Sequence, residues 1–177
     1  GIAGFRPSDR VVDYGCGSLR LGVHLIEYLD HGNYMGLDVT RDFIDIGIDL
    51  VGRDTVREKA PHLDAITPTS IATAAAFEAD CVISNSVSFH VHPDELQAYC
   101  SNLGRMTAKP GSILLFNAKL SDAPTRYAAR GWARPLDDFK EWLKPLTFVG
   151  THIRRELQDD RAKNAPIDSA ILEFRRD

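Results

Sequence analysis

The sequence lacks most of what would staple a chain together or seat it in a bilayer. Its three cysteines, Cys16, Cys81 and Cys100, never fall in a CxxC spacing, which argues against a disulfide framework or a structural zinc site and points to a reducing, cytoplasmic setting. No apolar run approaches the roughly 20 residues that cross a bilayer, so no membrane partner is expected. Positive charge is not in excess: 21 Lys and Arg stand against 25 Asp and Glu, a formal net charge of -4, which disfavours duplex nucleic acid as a partner. Internal repeats and low-complexity tracts are missing as well. The GxxxxGK loop followed by Ser or Thr is absent, and ordinary nucleotide hydrolysis goes with it.

What the 177 residues do contain is enough apolar side chain, 44% of the total, for one domain with a substantial core. The chain opens on Gly1 rather than Met, and about ten residues precede the first strand-like run. A single domain cut from a longer chain is therefore expected, with further elements of the pocket upstream.

Short apolar runs alternate with amphipathic stretches, the pattern of a parallel sheet covered by helices. Val11 to Tyr14 reads as the first strand, and Ser18 as the N-cap of a helix carrying Leu21, Leu25, Ile26 and Leu29. "YMGLDV" is a second strand, and Thr40 caps a helix with Phe43, Ile44, Gly47, Ile48 and Val51 on its apolar face. A third strand is expected at Leu63 to Ile66, a helix around Ile71 to Phe77, and a fourth strand in "DCVISNSV". Pro93 stands at the first position of the next helix, Ser112 to Phe116 forms a fifth strand, and the connection from Lys119 to Pro135 reads as irregular. After a helix near Leu136 to Leu143, "LTFVGTHIRREL" and "SAILEFRR" are joined by a segment too short and polar for a crossover helix. They should pair as an antiparallel hairpin that closes an otherwise parallel sheet. The expected fold is α/β and Rossmann-like, a seven-stranded mostly parallel sheet with that hairpin and helices on both faces.

The stretch "VVDYGCGSLRLG" places two glycines, Gly15 and Gly17, between the first strand and the first helix. Such a loop is a tight turn and also an anion-facing cradle, because glycines leave amides uncovered beside a helix N-terminus. Asp38 ends the next strand, 21 residues after Gly17, where a carboxylate reaches the hydroxyls of a ribose. The spacing thus favours a nucleoside-containing ligand. G-x-G-x-x-G is not met, since Arg20 occupies its third glycine position, and no tyrosine is followed four residues later by lysine.

Together, "VVDYGCGSLRLG", "GLDVTRDFIDIG", "CVISNSVSFHVHPDEL" and "KPGSILLF" resemble the successive motifs of class I S-adenosylmethionine-dependent methyltransferases. The resemblance runs from about residue 10 to the C-terminus and accounts for the final hairpin, because that family inserts an antiparallel seventh strand between the fifth and sixth. Leu19 stands where the family carries a third glycine. The resemblance implies S-adenosyl-L-methionine as cofactor. Asp13, Gly15, Cys16 and Gly17 would surround its methionine part, Asp38 would hold the ribose, Val39 and Thr67 would flank the adenine, and Asn85 and Ser86 would face the sulfonium. Asp13 also reads as a carboxylate that stiffens the loop, and Asp38 as a helix-start carboxylate beside Thr40.

Methyl transfer requires a nucleophile held in line and water kept out, and a hydroxyl acceptor gains from a general base. His90, after the fourth strand, is the candidate base; in the plainer reading it packs in the loop. His92, which leads into Pro93, is either a substrate contact or a helix-leading residue. No third ligand joins the two histidines in the sequence. Asn85 and Asn117 occupy the neighbourhood where catechol-type methyltransferases place metal-binding carboxylates, which argues against metal dependence. The stretch with Lys119, Arg126, Tyr127, Arg130, Trp132 and Arg134 either folds over the ligand as a lid for an anionic or sugar-like acceptor or leaves its arginines solvated. The Asp/Asn-Pro-Pro-Phe/Tyr motif of base-amino methyltransferases is missing at Ser84 to Val87. The expected activity is methyl transfer to a small molecule, at oxygen in preference to nitrogen. A nicotinamide-dependent oxidoreductase and a non-catalytic binding module of the same fold remain open alternatives.

Overall fold

Residues alternating inward and outward along short strands need cover on both sides, and the protein supplies it. A computed structural model describes residues 4–129, 131–153 and 167–177. Its central sheet contains β1 (Val11–Tyr14), β2 (Tyr34–Asp38), β3 (His62–Ala65), β4 (Cys81–Ser84), β5 (Ile113–Leu120), β8 (Thr147–Ile153) and β9 (Asp168–Arg175). The order across the sheet is β3-β2-β1-β4-β5-β9-β8. Strands from β3 to β5 run parallel, whereas β9 lies antiparallel between β5 and β8. The antiparallel closing pair expected from the sequence is present; the segment 154–166 that joins its strands lies outside the described residues.

Because side chains alternate across a strand, the sheet feeds two separate cores. Val12, Tyr14, Met35, Leu37, Val82, Leu114 and Phe116 pack with α4 (Pro68–Ala76), α5 (Leu96–Met106) and α6 (Leu136–Trp142). Val11, Tyr34 and Cys81 pack on the other face with α1 (Gly22–Tyr28) and α2 (Arg41–Val51). A further helix, α3 (Arg53–Lys59), was not expected in the charged stretch after α2. It buries none of its residues and is held by an Asp54–Arg57 pair and by Lys59 Nζ donating to the Leu29 carbonyl, 2.8 Å. Periodicity could not reveal a helix with no apolar face.

The expected cap at Ser18 is not formed. Leu19 takes a left-handed conformation, φ 56°, its amide donating to Cys16 O, and α1 begins only at Gly22. Leu19 is thus a leucine in a glycine-like conformation, which costs backbone strain but buries the side chain completely. Two glycines make room for it. A Cβ at Gly22 would lie 2.9 Å from Leu19 Cδ2, and one at Gly47 would lie 2.6 Å from Leu19 Cγ and 2.8 Å from the Ser18 carbonyl carbon. Gly→Ala in a helix ordinarily stabilises by about 1 kcal/mol. At Gly47 the sign reverses, since the clash is with backbone: urea denaturation of Gly47→Ala should show a loss of roughly 1–3 kcal/mol. An increase in stability would contradict this packing.

α5 likewise starts later than its proline. Pro93 to Glu95 form a hydrogen-bonded turn, with Glu95 N donating to His92 O and Leu96 N to Pro93 O, before the helix opens at Leu96. The stretch expected to be irregular after β5 holds a small hairpin, β6 (Thr125–Ala128) with β7 (Gly131–Ala133). Hydrogen bonds from Arg134 N to Lys119 O and from Ser121 N to Arg134 O stitch it to the end of β5. No helix among the described residues is long and apolar enough to cross a membrane.

Candidate functional site

The strand order reverses between β1 and β4, and a crevice opens where their C-terminal ends diverge, the place where open α/β sheets bind ligands. A cavity of about 1000 Å³ lies there. Asp13, Gly15, Cys16, Gly17, Asp38, Val39, Asn85, Ser86 and His90 all line it. These nine come from the end of β1 and the loop after it, the tip of β2 and the loop after β4, so the fold brings together most of the site expected from the sequence.

The glycine loop does not act as an anion cradle. Gly15 and Cys16 both donate their amides to the Leu37 carbonyl, 2.7 and 3.1 Å, and Gly17 N donates to Asp38 Oδ2, 2.7 Å. With these three amides turned into the end of β2, and α1 starting farther on, Gly15, Cys16 and Gly17 present no phosphate cradle. Gly15, φ 84°, instead allows close approach: a Cβ there would lie 2.3 Å from Val87 Cγ2. The loop after β4 is thereby pressed against the first loop. Ser86 holds a left-handed φ of 63°, and its amide donates to Asn117 Oδ1, 2.9 Å. Ser88 donates to the Asn117 carbonyl. Asn117 is therefore spent on shaping this loop.

Two carboxylates dominate the floor. Asp13 and Asp38 are only 2% and 6% exposed, and neither forms a salt bridge among the described residues. Asp13 Oδ2 accepts from the Tyr34 hydroxyl, 2.9 Å. Burial first, and then the nearby Asp38 charge, push its pKa up to about 6 against the lowering effect of that hydrogen bond. Asp38 keeps lone pairs for a ligand, since Oδ2 accepts from Gly17 N and Oδ1 from Thr40 N at only 3.4 Å. Burial also raises the Cys16 thiol, so Cys16 stays a neutral wall.

Other expected residues lie elsewhere. Thr67 caps α4 in a reciprocal arrangement with Ser70, Oγ1 accepting from Ser70 N and its own amide donating to Ser70 Oγ. Its neighbour Ile66 lines the cavity instead. His92 stacks edge-on against Trp132, ring centroids 5.4 Å apart, and faces Asp94. Arg126 donates to the Ala129 carbonyl. None of His92, Arg126 and Trp132 is among the cavity-lining residues. Arg130 and the side chain of Tyr127 lie outside the described residues. The sequence reading missed Tyr14, Phe43, Glu95, Ala98, Tyr99 and Asn102, all of which line the cavity. The spacing of 95, 98, 99 and 102 is one helical face and could have been read as such. Among the described residues no group of three or more His, Cys, Asp or Glu is placed to hold a metal.

The inserted antiparallel β9 on a 3-2-1-4-5 parallel sheet, with a glycine loop facing an acidic β2 tip, decides the architecture. This is the class I methyltransferase fold. Solved structures agree. The chain resembles the cyclase SpnF at TM-score 0.72 with 13% identity, covering 97% of this chain and 76% of that one. It resembles magnesium protoporphyrin IX methyltransferase from Synechocystis PCC 6803, with bound S-adenosylhomocysteine, at 0.67 with 16% identity, covering 97% and 75%. Geranyl diphosphate C-methyltransferase from Streptomyces coelicolor A3(2), also crystallised with S-adenosyl-L-homocysteine, matches at 0.69 with 12% identity, covering 99% and 75%. No protein-family model and no curated protein sequence matches the chain.

Proposed function

We propose that the protein binds S-adenosylmethionine and transfers its methyl group to a small-molecule acceptor, at oxygen in preference to nitrogen. The observation that carries this reading is the contact from Gly17 N to Asp38 Oδ2, which joins the glycine bend to the acidic tip of the neighbouring strand at the mouth of one cavity. The donor set fits such a cofactor: two buried carboxylates suit an ammonium and a ribose. Asp38 would hold the ribose hydroxyls, Val39, which is 79% exposed, would cover the adenine, and Asp13 would face the methionine ammonium. When bound, the cofactor supplies an electrophilic methyl group on a sulfonium. Gly15, Asn85 and Ser86 would orient the reacting end, and the packed Val87 would exclude water from beneath it. His90, exposed on the cavity wall, would take the acceptor's proton. An anionic or sugar-like acceptor would have to extend beyond the cavity to meet the hairpin residues Arg126 and Trp132, which do not line it.

His90→Gln should lower labelled-methyl turnover about 10²- to 10⁴-fold while leaving cofactor affinity unchanged; undiminished turnover would remove the base assignment. With labelled cofactor and a cell extract split by ultrafiltration, label should appear in the small-molecule filtrate. Label confined to macromolecules would overturn the acceptor class. The nicotinamide alternative loses support from the same loop, because the amides of Gly15, Cys16 and Gly17 are taken up by the end of β2 rather than left for a pyrophosphate. Cofactor binding with no label transferred to any acceptor would favour the non-catalytic module.

A further inference from the structure

We propose that Tyr14 and Asn102 read the edge of the cofactor's adenine, taking the role that Thr67 would otherwise fill. The inference rests on the cofactor reading above. Thr67 has no side-chain capacity turned to the cavity, because its hydroxyl and amide are both engaged with Ser70 in the cap of α4. The cavity instead extends along α5, where Ile66, Val91 and Ala98 offer apolar walls and Tyr14 and Asn102 offer polar groups.

The hydrogen-bond inventory at that end is incomplete in a specific way. Asn102 Nδ2 donates to the Tyr14 hydroxyl, 3.2 Å. The Tyr14 oxygen is thus an acceptor already, and its own proton is left to donate. Among the described residues no group accepts that proton and none donates to Asn102 Oδ1. Tyr14 is only 6% exposed yet lines the cavity, so its proton is placed to meet a ligand acceptor there. The pair presents one donor beside one acceptor. Adenine presents the complement on its Watson–Crick edge: the N1 lone pair accepts and the N6 amino group donates.

The readers are held firmly. Tyr99 donates to Ser84 Oγ, 2.7 Å, and Ser84 Oγ donates to the Tyr14 carbonyl, 2.7 Å. The Tyr14 and Tyr99 rings lie 5.7 Å apart. This buried relay fixes the Tyr14 backbone and leaves its ring little freedom.

Calorimetry with S-adenosylhomocysteine and two analogues tests the assignment. The 6-deamino analogue lacks the N6 donor, and the 1-deaza analogue lacks the N1 acceptor. The wild-type protein should bind each about tenfold more weakly than the parent, the size of one neutral hydrogen bond. In Asn102→Leu the penalty for 6-deamino should vanish while that for 1-deaza persists, and Tyr14→Phe should show the reverse. Each ratio is measured within one variant, so a general loss of affinity cancels. Wild-type ratios retained in both variants would overturn the inference and leave the cofactor reading intact. Failure of the wild-type protein to bind the parent ligand would overturn the cofactor reading itself.

Discussion

Asp38→Ala is expected to weaken S-adenosylhomocysteine binding by a hundredfold or more, measured by calorimetry. Two effects act in the same direction. The variant loses charge-assisted hydrogen bonds to the ribose, each worth about 1.5–3 kcal/mol. It also releases Gly17 N, whose 2.7 Å bond to Asp38 Oδ2 ties the first loop to β2. Together these amount to roughly 3–4 kcal/mol, or about 10²- to 10³-fold in affinity. Asp38→Asn keeps an acceptor for Gly17 N but not the charge, and should lie between the two, near tenfold. Unchanged affinity in Asp38→Ala would remove the ribose assignment.

Asp13→Asn should stabilise the protein at pH 8 and weaken its ligand affinity at the same time. The fold raises Asp13 from a reference of 3.8 to about 6, so the folded state holds a proton more tightly than the unfolded chain. Its contribution to stability is therefore complete below pH 3.8 and is lost as pH rises through 6. Above that range the native protein carries a buried carboxylate that burial disfavours. Asparagine keeps an acceptor for the Tyr34 hydroxyl without the charge, and should add about 1–3 kcal/mol at pH 8 in urea denaturation. At pH 3.5 the two proteins should unfold alike. Affinity for S-adenosylmethionine should fall in the wild type as pH is lowered through 6, because protonation removes the partner of the ammonium, and should stay flat in the variant. Lower stability of Asp13→Asn at pH 8 would contradict the account of this carboxylate.

How far the sequence reveals this structure follows from which interactions are local. β1, β2 and β4 are short apolar runs bounded by turn residues, and the structure places them where the runs lie. Thr40 caps α2 as its position suggests, its Oγ1 accepting from Asp42 N. Gly15 and Asp38 meet because adjacent parallel strands end together, a consequence of spacing alone. What escaped the sequence depends on distant partners. Ser18 has the right chemistry for a cap, but burial of Leu19 against Gly22 and Gly47 pulls the chain into a left-handed turn first. Thr67 faces away from the cavity because Ser70 completes a cap that outcompetes a ligand contact. Tyr14 and Asn102 are 88 residues apart and meet only once α5 packs on the sheet.

Hydrogen exchange read by mass spectrometry, with and without S-adenosylhomocysteine, tests most directly whether the glycine bend and the β2 tip grip an adenosyl ligand. Peptides covering residues 11–22 and 36–44 should exchange more slowly in the presence of ligand, while β8 and β9 should not change. Equal exchange in both segments at saturating ligand would contradict the account.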